Sequence, residues 1–387
     1  MVMPQPSSAS GPDIIRENLR SNPAWWGWLA VVAATWGLLA LQLRFHWGGE
    51  SYYNYGGAIP FLALFLFYRR TECAPVANPQ KGDAALGIMT VLGALVAMVP
   101  LRMLNEVNPF WRVPLVGESI LAVFLTIGVL TILGGKRFML HFAFPAFFLI
   151  TMAPWPYQIE VQLVQALTEQ TTAATVSLVQ FVGHPAVISG NIIRIGDAQV
   201  GVDEACSGIR SLQTLGMAAL FLGEFFLFGW LRRLLMLASA LAAVFIFNLG
   251  RSTALTLIVI NQGDAGYDKW HDPTGTISFI LSIIALYAVG ELLERMTPAK
   301  QAEENAAADH AAKPRKGVSL WKGGRKIALF IAAGLVFLPE AAVWGWFSYR
   351  EAKTEKAPAW GMNWPQPTPE KFEFREIAET VRGLLSF

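Results

Sequence analysis

Charge is scarce in this chain. Only 15% of its 387 residues are Asp, Glu, Lys or Arg, against about a quarter in soluble domains. So few charges cannot clothe the surface of a water-soluble protein of this length. Cysteine is scarcer still. Two residues, Cys73 and Cys206, allow at most one disulfide and exclude a disulfide framework. The net charge of +2 is too small for phosphate-backbone binding, so no nucleic-acid partner is expected. No Gly-rich phosphate loop and no zinc-ligand spacing occurs, so neither a cofactor nor a metal is expected. What the chain has in excess is apolar: 54% hydrophobic residues, with 14 Trp and 25 Phe. That composition suits membrane helices with aromatic belts.

Set against the roughly 20 apolar residues that a span requires, nine runs stand out: about 25–43, 53–68, 84–101, 115–133, 138–153, 212–228, 234–252, 276–293 and 327–347. The expected fold is an all-α polytopic membrane protein with eight or nine transmembrane helices. The first run follows a polar arm of some 24 residues and has no clear small-residue cleavage site, so it reads as an uncleaved anchor. Lysine and arginine set the orientation. With the N-terminus in the cytoplasm, 17 of the 30 fall inside, including Arg69, Arg70, Lys136, Arg137, Arg232, Arg233 and eight between 295 and 326. Seven fall in outer loops: Arg44, Arg102, Arg112, Arg194, Arg210, Arg251 and Lys269. Cys206 then faces outward and Cys73 inward, so the two cannot pair.

The longest stretch between spans, 154–211, presents Cys206. Ile159, Leu163, Leu167, Ala174, Leu178 and Phe181 recur at helical spacing, which predicts an outer amphipathic helix lying on the membrane or capping the bundle. "NIIRIGDAQVGV" follows, two β-like runs about Gly196-Asp197, a hairpin signal. The hairpin leads into "DEACSGIRSL". If SGIRSL opens a helix, the dipole at its head lowers the Cys206 thiol pKa. Asp203 and Glu204 read as solvated loop charges.

Two more polar interruptions fall on the same side. "FIFNLGRSTALTLIVI" sets Asn248 and Arg251 in an apolar run. An arginine there costs about 2.5–3.5 kcal/mol on insertion scales unless it faces a polar cavity or reaches the interface. "DKWHDPTG" places His271 in a loop joining the seventh and eighth spans; His46 and His184 are the other outer histidines. A thiol, a guanidinium and an imidazole on one face could provide an activated nucleophile and an oxyanion donor.

At these residues the chain resembles the exosortase/archaeosortase family of membrane transpeptidases. The resemblance rests on Cys206-Ser207-Gly208-Ile209-Arg210, Asn248-Leu249-Gly250-Arg251, His271 with Gly275 four residues on, and the second-span segment "YYNYGGAIPFLALFLFYRR". It covers roughly 25–295. It implies a bacterial inner-membrane enzyme with its site on the periplasmic face, no cofactor, and Cys206, Arg251 and His271 as catalytic residues. Asn248, Ser207 and Arg210 would support the site or contact substrate, Arg210 being structural or a phosphate contact. The implied partners are the lipid bilayer, exported proteins carrying a C-terminal sorting signal of the PEP-CTERM kind, and a lipid or polysaccharide acceptor. The resulting division is a cytoplasmic arm 1–24, a core 25–295, a basic linker 296–326, an extra span 327–347 and an outer tail 348–387. Two other classes stay open: a membrane acyltransferase using Cys206, and a transporter with Arg251 and Asn248 along its path. The absence of an internal repeat counts against the transporter.

The topology is tested by a membrane-impermeant maleimide added to intact cells. Cys206 is expected to be labelled and Cys73 spared; labelling of Cys73 alone would invert the assignment.

Overall fold

An apolar run in hydrocarbon must bond its own N–H and C=O groups, and a helix does so locally. The computed structural model follows that rule. It describes residues 24–48, 52–190, 192–196, 198–201, 208–296 and 322–353, with Arg20. The helices are α1 (Ala24–Trp47), α2 (Ile59–Thr71), α3 (Lys81–Val107), α4 (Arg112–Phe148), α5 (Tyr157–Phe181), α6 (Ile209–Phe225), α7 (Trp230–Arg295), α8 (Lys322–Val336) and α9 (Leu338–Lys353). Between α5 and α6 lie three strands, β1 (Ala186–Ser189), β2 (Ile192–Ile195) and β3 (Ala198–Gly201). The chain divides into a unit of residues 1–343 and a short unit from 344 onward.

Each of the nine apolar runs lies mainly on helix, with turn or 3-10 residues at the ends of the second, fifth and sixth runs and a turn at Phe337 within the ninth. Among the described residues, five helical stretches are long and apolar enough to cross a membrane: Ala24–Trp47, Lys81–Val107, Arg112–Met152, Trp230–Arg295 and Lys326–Ala352. Two of them carry two runs each, because each contains a break. Gly135 (φ 81°) divides α4, and Gly263 (φ 66°) divides α7. The left-handed region suits glycine, which has no Cβ to clash there. At Gly135 a Cβ would also crowd Asp83 Oδ2 and the Asn78 carbonyl at 3.0 and 3.1 Å. The remaining two runs lie on α2 and α6, which have 13 and 17 residues.

Close approach of backbones organises the helix packing. α3 and α4 meet at Gly87 and Gly128: a Cβ on Gly87 would lie 2.6 Å from the Gly128 carbonyl oxygen, and one on Gly128 2.9 Å from that of Gly87. Small residues at such contacts let membrane helices gain dispersion energy where no hydrophobic drive exists. Charged side chains at the helix ends are fastened in pairs. Glu224 of α6 receives Arg70 of α2, with Nη2 3.0 Å from Oε2, and Arg233 of α7 at 2.6 Å. In a second cluster, the Tyr53 hydroxyl donates to Glu160. It accepts from the Trp155 N–H at 2.9 Å and from Gln213 Nε2 at 3.1 Å. Arg112 reaches Glu160 at 2.9 Å.

The amphipathic helix and the hairpin are both present. Ile192 pairs with Gly201 and Ile195 with Ala198 in the antiparallel β2–β3 register, with Gly196 in the turn at φ 59°. Asp197 lies outside the described residues. Two findings differ from the sequence reading. First, the hairpin gains a third strand: β1 pairs with β2, Ser189 opposite Ile192. The Gly190-Asn191 pair after "AVIS" is the turn signal for it. Second, the apolar stripe of α5 is not its most buried face: Ile159, Leu178 and Phe181 are exposed, and Leu163, Leu167 and Ala174 are half-buried. The buried face is Glu160, Val164, Thr168, Thr171, Thr172, Thr175, Val176 and Val179, and the helix packs on α7. Threonines are narrow, and they satisfy their hydroxyls within the helix, as Thr172 does on the Thr168 carbonyl at 2.8 Å. Larger apolar side chains are left for the lipid.

Gly128→Leu is expected to destabilise the protein by about 1–3 kcal/mol or more through overpacking. Gly93→Leu, where a Cβ meets nothing within 4 Å, should be neutral or stabilising by up to about 1 kcal/mol. Thermal unfolding in detergent compares the two.

Candidate active site

Two features bring the candidate residues together: the start of α6 and the break in α7. Helix α6 begins at Ile209, as "SGIRSL" predicts, with Gly208 as its N-terminal flank in the left-handed conformation (φ 80°). Gly208 sits against α7. A Cβ there would lie 3.1 Å from Asn248 Cγ and 3.4 Å from Val244 Cγ1. Asn248 is itself buried. The chain that leads into this contact is Cys206-Ser207; both residues, with Asp203 and Glu204, lie outside the described residues.

One turn beyond Asn248 comes Arg251. Its Nη2 is 3.0 Å from Nε2 of His271. Twenty residues of straight helix would hold those groups about 30 Å apart, so the contact depends on the chain folding back at Gly263. The sequence reading put His271 in a loop. The structure places it within the second helical stretch of α7. The connection from the seventh to the eighth apolar run is helical apart from its glycine break, because continuing helix keeps the backbone bonded on both sides of the reversal. Pro273 stands inside that stretch.

The imidazole is held on three sides. Nδ1 lies 3.0 Å from Asp272 Oδ1, and the Tyr267 ring centroid is 5.2 Å from the His271 ring. A guanidinium N–H only donates, so Nε2 of His271 is the acceptor in the Arg251 contact. The proton of the neutral ring then sits on Nδ1, facing the Asp272 carboxylate. Gly275 gives Arg251 room: a Cβ at that position would touch Cζ at 3.4 Å. Neither Asp272 nor Tyr267 was singled out from the sequence. The adjacency of Asp272 to the histidine was the available signal; Tyr267, one turn away on a stretch read as loop, gave none.

The structure therefore joins Arg251 and His271, with Asn248 one turn before Arg251 on the same helix, and places Gly208, two residues after Cys206, against Asn248. Arg210 is the second residue of α6. It is exposed, and its Cζ lies 5.7 Å from the Tyr52 ring centroid. His46 and His184, the other two histidines considered, are half-buried. Cys73 is exposed. The small sheet is anchored to the same helix that carries Arg251: Ile193, Ile195 and Val200 bury with Val176 and Val179 of α5 and Val259 of α7. Because β3 ends at Gly201, the segment bearing Cys206 leaves a sheet fixed on α7 and enters a helix fixed on α7.

Gly208→Ala puts a Cβ both into a left-handed conformation, costing about 1–2 kcal/mol, and against Asn248. It should lower thermal stability by at least that much. Gly250→Ala, in helix with nothing within 4 Å of its Cβ position, should be neutral or stabilising by up to about 1 kcal/mol.

Comparison with known proteins adds one match. The family model described as transmembrane exosortase aligns with residues 47–288, more than half of the chain. No curated protein and no solved structure matches.

Proposed function

The chain belongs to the transmembrane exosortase family, and on that premise we propose that it is a cysteine transpeptidase whose nucleophile is Cys206. The observation that carries the reading is the 3.0 Å contact between Arg251 and His271, one helical turn from the Asn248–Gly208 packing. It supports the reading because an imidazole and a guanidinium meet on the helix against which Gly208, two residues after Cys206, packs.

The reaction proceeds in two halves. His271 takes the Cys206 proton on Nε2, the lone pair that Arg251 engages in the resting geometry. The guanidinium, released from the imidazole, turns to the thiolate and then to the oxyanion. The thiolate attacks the scissile carbonyl carbon, and the C–N bond of the tetrahedral intermediate breaks as His271 returns its proton to the leaving amine. A thioester remains on Cys206. An acceptor nucleophile then attacks that carbonyl, giving its proton to His271; the C–S bond breaks, and the departing Cys206 thiolate takes that proton back from Nε2, restoring the resting thiol and imidazole. Asp272 keeps the proton on Nδ1, so that Nε2 is the basic nitrogen. The substrates are exported proteins with a C-terminal sorting signal, and the acceptor is a lipid or polysaccharide carrier. The site faces the outside of the cytoplasmic membrane, where such substrates arrive, and Asn248 and Ser207 support it.

Arg251→Lys discriminates this role from that of a charged anchor. Lysine keeps the charge but not the planar fork of donors, and losing one oxyanion donor costs about 10²–10³ in rate. Substrate cleavage is followed over time at matched membrane levels. Cys206→Ala should be inactive, Cys73→Ala normal, and Arg251→Lys nearly as slow as Arg251→Ala. Full processing by Cys206→Ala removes the enzymatic reading; a near-normal lysine variant makes Arg251 an anchor.

A further inference from the structure

A second polar centre lies in the bundle, lined by residues of α1, α3, α4, α8 and α9 and by none of α6 or α7. It is a cavity of about 30 Å³ bounded by Thr35, Gln42, Arg102, Glu118 and Glu340 among apolar side chains. That volume holds a guest the size of one water molecule.

Its hydrogen bonding is lopsided. Every nitrogen of Arg102 is committed: Nε and Nη2 to the Glu340 carboxylate at 2.8 and 3.1 Å, Nη1 to Glu106 at 2.8 Å. Gln42 gives Nε2 to Glu340 at 3.1 Å and accepts from Asn105 Nδ2 at 3.2 Å. The Thr35 hydroxyl gives its proton to the Val31 carbonyl at 2.9 Å. Glu118 is 5% exposed, yet its Oε1 has no hydrogen-bond partner, and the same holds for Oδ1 of buried Asn105. What remains unsatisfied is acceptor oxygen. The charges lean the same way: in the lining the two carboxylates of Glu118 and Glu340 stand against the single guanidinium of Arg102, while Glu106, the third carboxylate near it, is exposed and outside the lining. α1 and α8 add no titratable group to the lining. An uncompensated carboxylate inside a membrane bundle costs several kcal/mol.

We propose that this cavity is a binding site for one small monovalent cation, a sodium ion or a proton, received at the Glu118 carboxyl. The deficit is one positive charge among oxygen ligands, and both candidates supply it. Glu340 lines the cavity from beyond the segment matched by the family model. Cation binding therefore strengthens the attachment of the C-terminal span to the core. The proposal is independent of the chemistry assigned to Cys206.

The test is thermal unfolding of the full-length protein in detergent, with sodium replaced by N-methylglucamine at constant ionic strength and with pH varied. A cation bound only by the folded state raises its stability. On the sodium arm, Tm of the wild type rises by about 3–6 °C at saturating sodium. On the proton arm, Tm falls as pH rises, because the folded state holds the extra proton. Glu118→Gln removes whichever response is present. Thr35→Val, measured in parallel, keeps the charge but deletes an oxygen; it blunts a sodium response and leaves a proton response intact. A wild type that follows Glu118→Gln in both titrations, or that responds to neither cation, overturns the proposal and leaves the cavity to a neutral water.

Discussion

Everything in this fold depends on the need of each backbone N–H and C=O to find a partner away from water. Helices meet that need, and the chain remains helical almost wherever it is apolar. The difficulty is reversal, since a loop exposes the groups that a helix hides. At two places the chain breaks its helix at one glycine of positive φ, Gly135 and Gly263. The second break sets the site. It leaves helix on either side, so Arg251 and His271 both stand on rigid elements rather than on a flexible loop. A contact at 3.0 Å between residues twenty apart is then a property of a helical hairpin, and its geometry is as fixed as the packing of its two arms.

The second requirement is that charges carried among the helices be paired. Removing one partner of a buried ion pair typically costs about 3–5 kcal/mol, and the clusters here join elements that apolar packing alone holds weakly. Arg70 and Arg233 converge on Glu224 and tie α2, α6 and α7 together. Tyr53, Arg112, Glu160 and Gln213 connect the approach to α2 with α4, α5 and α6. Arg102 and Glu340 attach α9 to α3. The helices joined by the first two clusters include α2 and α6, the shortest of the apolar set within the family core. Arg70 and Arg233, which the charge count reads as markers of orientation, are thus also internal fasteners.

Helix α5 shows how the two solvents reverse a familiar pattern. In a soluble protein the stripe of Ile159, Leu178 and Phe181 would be the buried one. Here those side chains are exposed and four threonines are buried. Where lipid is the surrounding medium, burying a leucine against protein gains little, while narrow side chains permit close contact with α7.

The sequence by itself determined the class of the protein, the largely helical state of the nine apolar runs, the β2–β3 hairpin and the start of α6 within "SGIRSL". Each of these is written in local composition or in motif spacing. Only the tertiary structure decided which face of α5 packs, that "AVIS" joins the hairpin as a third strand, that His271 stands on helix beside Asp272 and Tyr267, and that Glu118 and Glu340 face one cavity across helices more than 200 positions apart. Periodicity reports that a helix has two faces but not which solvent each meets. Similarly, a glycine in a sequence does not announce that its φ is positive. Both are settled by the neighbours that the chain brings back from far away, and a local pattern contains no information about those neighbours.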